Sequence, residues 1–200
     1  MSKRNAILVA ATQLFSRNGF KETSMSELSR ITGAAGGTIF HHFKNKEDLF
    51  SKVLNTVQET IVSAFRDHMQ SVDGNGLETV EEAIRFYLHL GNTFEDQFLL
   101  IHRHYPYQIA ETNKQCRTYL ESVYNCLLDI FEESISKGIQ DGSIDVPSPR
   151  NTAMILFAMV DGVARLNTYN LYHASSLYTD LMASCRRILT GGADPGKGIN

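Results

Sequence analysis

Apolar residues recur along most of the chain at the three- and four-residue spacing of amphipathic α-helices. The first segment, residues 3–16, places Ile7, Leu8, Ala11, Leu14 and Phe15 at positions i, i+1, i+4, i+7 and i+8. Such a stripe buries one face of a helix. No segment shows the sustained apolar–polar alternation of a β-strand. The pattern therefore predicts an all-α fold of about nine helices.

Capping and terminating residues set the boundaries of the other predicted helices. Ser24 and Glu27 have the spacing of a capping box, and Gly19 and Gly33 follow apolar runs as helix-ending glycines. Gly138 is predicted to end a long helix in the same way, and Pro149 to occupy the first position of another. The predicted helices after the first span residues 25–32, 38–43, 46–69, 79–91, 93–105, 112–137, 149–169 and 175–189.

Residues 24–43 carry the pattern that points to function. A capped helix, a small-residue turn and a second short helix follow a first helix, which is the order of a helix-turn-helix unit. On the second helix, Thr38, His41 and His42 offer hydrogen-bonding groups, whereas Ile39 and Phe43 have the spacing of inward-facing residues. The pattern alone also fits a tight helix pair without a DNA-binding role.

The residues of this segment resemble the N-terminal domain of the TetR family of bacterial transcriptional regulators. The resemblance keeps its spacing from residue 7 to residue 49. It rests on Ile7-Leu8, Ala10-Ala11, Leu14-Phe15, Gly19-Phe20, Thr23-Ser24-Met25, Leu28-Ser29, Thr32-Gly33, Gly37-Thr38-Ile39-Phe40, His42-Phe43 and Asn45-Lys46-Glu47-Asp48-Leu49.

The resemblance implies that one surface of the N-terminal segment binds DNA. Its implied contact residues are Ser24, Ser26 and Lys46 at phosphates, and Ala35, Gly36, Gly37, Thr38, Phe40, His41 and His42 at the groove. Many relatives have Ser and then Lys where this chain has Ala35 and Gly36, and Tyr is commoner at Phe40. Because these departures remove a capping hydroxyl, an amine and a phenol, we expect weaker or differently distributed DNA contacts.

The resemblance also implies a role for the rest of the chain. The two C-terminal helices are expected to pair with a second copy, although they could instead only cover the monomer core. The implied interface consists of Leu156, Phe157, Val160, Val163, Ala164, Leu177, Leu181, Met182, Cys185 and Ile188. The central helices are expected to bind a small apolar or amphipathic effector. Its candidate contacts, each of which could equally be a core residue, are Phe94, Phe98, His102, Tyr119 and Val123.

Composition and charge agree with this interpretation without adding much to it. The 200 residues are 42% hydrophobic with a net charge of -3, which is typical of globular chains. Residues 1–50 carry seven Lys or Arg and four Asp or Glu, a net +3, so the remainder carries -6. A basic segment on an acidic body weakly favours a polyanionic partner. Three widely spaced cysteines and no apolar run of about 20 residues predict a cytoplasmic protein, nucleoid-associated when bound to DNA.

The predicted organisation is a DNA-binding domain at residues 1–47, a ligand-binding and dimerisation domain at 48–190 and a flexible tail at 191–200. We expect a dimeric repressor that binds a palindromic operator and is released by its effector.

No catalytic motif is present, so no enzyme activity, metal or cofactor is expected. The histidines of His102-Arg103-His104 point about 200° apart on a helix and cannot chelate together. A helical binding module without DNA affinity and a small helical enzyme are the alternatives.

Overall fold

The computed structural model describes residues 2–191, and within them it contains ten α-helices and no β-strand. The all-α prediction is therefore confirmed. The helices are α1 Lys3–Arg17, α2 Met25–Thr32, α3 Gly36–His42, α4 Lys46–Gln70, α5 Gly76–Thr93, α6 Glu95–Ile101, α7 His104–Thr112, α8 Lys114–Asp141, α9 Pro149–Thr168 and α10 Tyr178–Leu189, with a 3-10 helix at Ala174–Leu177. Nine of the tail residues predicted to be flexible, 192–200, lie outside the described range.

The cap and the terminating glycine of α2 form as the sequence predicts. The Ser24 hydroxyl accepts a hydrogen bond from the Glu27 backbone N–H at 3.1 Å, which caps α2. Gly33 closes α2 with a φ of 63°, a left-handed conformation that glycine adopts without strain. Asn45 caps α4 through a 2.8 Å bond from the Asp48 N–H to its side-chain oxygen.

Three predicted boundaries are wrong. The helix predicted at 93–105 is two helices, since Pro106 lies in the first turn of α7, where no intrahelical N–H is needed. Helix α5 begins at Gly76 rather than at residue 79, because the Asn75 side-chain oxygen caps the helix by accepting from the Glu78 N–H at 3.0 Å. Gly138 does not end α8, which continues to Asp141 and is followed by Gly142 at a φ of 79°.

The chain folds as two compact units. Among the described residues, the first comprises 2–63 and Thr93–Val123, and the second comprises Ala64–Asn92 and 124–191. These units are defined by packing within the chain, so the functional boundary at residue 47 stays a prediction.

The first unit is built around a cluster of aromatic rings. Tyr105 stacks on Phe20 with 3.8 Å between ring centroids, and Phe50 packs edge-on against both rings. Burial raises the pKa of Tyr105 to about 12. Two further residues clamp the C-terminal end of α1: Asp96 accepts bonds from the Ser16 hydroxyl and the Arg17 guanidinium, and Arg103 donates to the Ser16 and Arg17 carbonyls. These contacts join α1 to the α6–α7 segment.

In the second unit, α5 and α8 approach each other through backbone. A Cβ built on Gly76 would lie 2.0 Å from the Gly138 nitrogen, so a side chain is excluded there. The buried Glu81 carboxylate joins α5 to α10 by accepting from Arg186. Tyr87 donates a 2.6 Å hydrogen bond to Asp161 of α9. Across residues 2–191, no helix combines the length and hydropathy needed to cross a membrane.

Candidate nucleic-acid interface

The short helix α3 has sharply different inner and outer faces. Ile39 and Phe43 are fully buried, as the sequence predicts. Phe40 points the other way and is 56% exposed, and His41 is exposed beside it. Thr38 and His42 are partly exposed. A buried inner face fixes the helix to its own domain, which leaves the outer face free for a partner.

The N-terminus of α3 carries no side chain that competes with a ligand. Ala35 occupies the N-cap position and provides no side-chain hydrogen bond. Cβ atoms built on Gly36 and Gly37 would meet nothing within 4 Å, and neither glycine has a positive φ. The fold of the chain therefore does not require glycine at either position, and the two residues leave the helix surface open.

The predicted phosphate contacts at α2 are exposed. The hydroxyl oxygens of Ser24 and Ser26 lie 3.0 Å apart, and both residues are exposed. Because the Ser24 hydroxyl also caps α2, its position is fixed by the helix. Ser26 lies beside this capped end, where backbone N–H groups favour an anion.

Lys46 has a role inside the protein that the sequence pattern did not reveal. Its ammonium donates to the carbonyls of Phe20 at 2.8 Å, Thr23 at 2.9 Å and Lys21 at 3.3 Å. The same nitrogen lies 4.4 Å from the centroid of the Phe20 ring. Three acceptors match the three protons of an ammonium group, so Lys46 holds the α1–α2 connection onto the start of α4.

Replacing Lys46 with methionine is expected to destabilise the N-terminal helices, because the carbonyls of residues 20–23 lose a charged donor. Hydrogen bonds to charged groups contribute about 1.5–3 kcal/mol, and we expect a loss in this range from urea unfolding. Lys44→Met is the matched control, since Lys44 is exposed and its loss is expected to leave stability unchanged. The contrary result is an unchanged free energy of unfolding in Lys46→Met together with a weaker salt dependence of DNA binding, its slope reduced by about one per subunit. That result would show that Lys46 contacts a DNA phosphate instead.

Two further cations near α3 were missed by motif reasoning. Lys44 follows α3 directly and is exposed. The Arg4 guanidinium lies 5.9 Å from the centroid of the Phe43 ring, which places it near the C-terminal end of α3. The positive charge of residues 1–50 is the sequence signal that could have identified both.

The predicted effector residues all lie in the first compact unit. Phe98, His102 and Val123 are buried, whereas Phe94 and Tyr119 are partly exposed. Phe98 and His102 are adjacent, with ring centroids 4.4 Å apart and the His102 Nδ1 2.7 Å from the Phe98 carbonyl oxygen. The Tyr119 hydroxyl accepts a hydrogen bond from Gln115 at 2.6 Å.

The predicted dimer residues divide into two groups by burial. Half of them are already buried within the single chain: Leu156, Val160, Ala164, Leu181 and Cys185. Phe157, Val163 and Met182 are partly exposed, and Leu177 and Ile188 are exposed. Sequence reasoning missed Met154 and Ile155, which are exposed large apolar residues on α9.

The three cysteines are buried and unpaired. Burial raises the pKa of all three thiols, that of Cys185 to about 11. Raised values keep the thiols protonated at neutral pH, so they do not have the character of nucleophiles. Among residues 2–191, no group of three or more His, Cys, Asp or Glu side chains is arranged to hold a metal ion.

Comparison with known proteins finds a family model that matches the N-terminal helices. Residues 7–53 match the family model described as bacterial regulatory proteins, tetR family. The matched segment contains α2 and α3 entire, α1 from residue 7 onward and the first part of α4. The helix-turn-helix arrangement inferred from capping and burial lies inside this matched segment.

Relatives and solved structures extend the similarity over nearly the whole chain. The fatty acid metabolism regulator protein of Bacillus subtilis is 24% identical over 197 residues, covering 89% of this chain and 92% of that protein. The structure of the transcriptional regulator FadR from Bacillus subtilis in complex with stearoyl-CoA aligns with a TM-score of 0.71 and 19% identity over 95% of this chain and 99% of that one. A TetR-family transcriptional regulator from Agrobacterium tumefaciens aligns with a TM-score of 0.76 and 20% identity, covering 94% and 97%.

The exposed outer face of α3 lies inside the segment that matches the tetR family model, and proteins that match over most of the chain are transcriptional regulators. The protein is a DNA-binding transcriptional regulator whose N-terminal segment is similar to the tetR family of bacterial regulatory proteins.

Proposed function

We propose that this protein is a dimeric repressor that binds a palindromic operator and leaves it when a small apolar or amphipathic effector binds. The observation that carries the proposal is the outer face of α3, where polar and aromatic side chains stand exposed above a fully buried inner face. A helix of this kind fits the major groove of B-DNA. With its free cysteines, the protein is proposed to act in the cytoplasm, at the nucleoid.

The proposed dimer surface is the outward stripe of α9. Met154, Ile155 and Ala158 are exposed there at helical spacing. A Cβ on Gly162, one turn further, would meet nothing within 4 Å. An interior glycine costs about 1 kcal/mol relative to alanine, and no contact among residues 2–191 requires it here. Close approach of the same helix from a second copy accounts for both the apolar stripe and the glycine.

A dimer is needed because one α3 reads few bases. Two copies related by a two-fold axis place their recognition helices about one helical turn of DNA apart, and a palindrome doubles the contacts. The buried members of the predicted interface, such as Leu156 and Leu181, support this surface from behind by packing α9 and α10 within the chain.

The proposed effector class follows from the central helices and from a relative. FadR of Bacillus subtilis, which shares the fold, was solved with stearoyl-CoA, an amphipathic molecule with a long apolar chain. We propose that Phe94, Phe98, His102, Tyr119 and Val123 contribute contacts to a molecule of this class in the present protein.

The clamp on α1 offers a route from effector to DNA. Asp96 and Arg103 lie on either side of Phe98 in sequence and hold the C-terminal end of α1. A displacement of α6 and α7 would therefore move α1 and the helices packed on it. To lower operator occupancy, the effector must bind the displaced state more tightly, with a coupling of about 1–3 kcal/mol.

Substitutions on α3 test the proposed function. Thr38→Ala and His42→Ala are expected to weaken binding to an operator recovered by selection, because each removes a hydrogen-bonding group from the outer face. A loss of about 1–3 kcal/mol in binding free energy is typical of a base contact. Fluorescence anisotropy at fixed salt measures it, with thermal unfolding and solution mass as controls. Unchanged affinity in both variants would remove α3 from the interface.

A further inference from the structure

We propose that Phe40 reads the C5-methyl group of a thymine in each operator half-site. The proposal rests on the proposed function and names the base feature that this chain's α3 recognises. Phe40 is 56% exposed, although a phenyl ring gains free energy by leaving water. Because phenylalanine has no hydrogen-bonding group, it cannot bind a phosphate or a polar base edge as a donor.

The surface around Phe40 is shaped to admit a small apolar group. On a helix, a side chain covers the turn that precedes its own Cα, and residues i−3 and i−4 are its neighbours. For Phe40 these neighbours are Gly37 and Gly36, and Cβ atoms at both positions would meet open space. The ring is therefore not covered by side chains on this side. Two glycines and one phenyl ring form a shallow apolar notch on the outer face of α3.

The residues of α3 favour contact with a methyl group as the way in which this helix recognises a base. The helix Gly36–His42 contains no Arg or Lys, the usual readers of guanine, and no Asn or Gln, the usual readers of adenine. It contains no Asp or Glu for cytosine either. In the major groove, the thymine methyl is the one apolar group that a base presents. A notch without polar side chains matches that methyl, and Thr38 and His42 remain for hydrogen bonds on either side.

Removing single methyl groups from the operator tests the assignment without changing any hydrogen bond. Deoxyuridine replaces each thymine of a selected operator in turn, and affinity is measured for the full-length wild type and for Phe40→Ala. At one thymine per half-site, uracil is expected to weaken wild-type binding about fourfold, the change that burial of one methyl group gives. Phe40→Ala is expected to bind the thymine and uracil duplexes equally well at that position.

Two controls complete the design. A second pair of duplexes carries cytosine or 5-methylcytosine at the same position, so that the two differ only by the methyl group. The wild type is expected to bind the 5-methylcytosine duplex about fourfold more tightly, and Phe40→Ala is expected to bind both equally. Phe40→Tyr keeps the ring and is expected to keep the sensitivity to uracil. Low salt brings weak variants into the measurable range, because protein–DNA affinity rises as salt falls.

The possible results separate this inference from the proposed function. If the wild type tolerates uracil at every thymine, the assignment to Phe40 is overturned while the repressor stands. The same holds if uracil weakens the binding of the wild type and of Phe40→Ala equally. Failure to select any operator overturns the proposed function and this inference with it. Uracil sensitivity that disappears only in Phe40→Ala supports both.

Discussion

Replacing Gly76 with alanine is expected to destabilise the second compact unit strongly. The new Cβ would lie 2.0 Å from the Gly138 nitrogen, 2.2 Å from its Cα and 2.7 Å from the Ser134 carbonyl oxygen. All three are backbone atoms of α8, so no rotamer change can relieve the overlap. The helices α5 and α8 must separate, and we expect a loss of about 3 kcal/mol in the free energy of unfolding.

Urea unfolding of Gly76→Ala and of a matched glycine variant measures this effect. Gly37→Ala is the control, since its Cβ meets nothing within 4 Å and alanine favours a helix by up to about 1 kcal/mol. Its stability is expected to be unchanged or slightly raised. A Gly76→Ala protein as stable as Gly37→Ala would show that the α5–α8 contact is looser than the structure has it.

Replacing Ile155 with glutamate is expected to give a folded monomer that binds operator at least about 100-fold more weakly. Ile155 is 53% exposed on α9, so the single chain tolerates a charge there. In the proposed dimer, the two-fold axis brings the same stripe of both copies together, and two carboxylates are desolvated near each other. Linking two DNA-binding heads raises affinity by about 10²–10⁴, and the monomer loses that gain.

Ile139→Glu provides the matched control for the dimer prediction. Ile139 is an isoleucine of the same compact unit, 40% exposed on α8 and outside the proposed interface. Analytical ultracentrifugation is expected to show Ile155→Glu at half the mass of the wild type and Ile139→Glu at the full mass. Two variants of equal mass, both dimeric, would move the interface away from α9.

Local chemistry explains why the N-terminal helices could be predicted from the sequence. The Ser24 cap and the Gly33 terminator act within a few residues of their own positions, and the structure shows both. The inward positions of Ile39 and Phe43 follow from a spacing of four on one short helix. Element type and facing are set here by neighbours along the chain, which a sequence displays directly.

Contacts between distant segments explain what could not be predicted. Gly138 resembles a helix-ending glycine, but its absent side chain makes room for Gly76 and for Ile144. Lys46 is predicted to contact phosphate, and the sequence gives no sign that its ammonium also reaches carbonyls more than 20 residues earlier in the chain. Likewise, the apolar periodicity of α9 cannot separate Leu156, which the chain buries, from Ile155, which it leaves exposed.

The central claim is that the outer face of α3 reads a specific DNA sequence as part of a two-fold dimer. Selection from random-sequence duplexes with the purified protein, at near-physiological salt, tests it most directly. We expect an enriched palindrome with half-sites about one helical turn apart and a thymine in each half-site whose methyl group is required. No enrichment by a folded protein, with DNA affinity no stronger than nonspecific binding and a shallow salt slope, would contradict the claim.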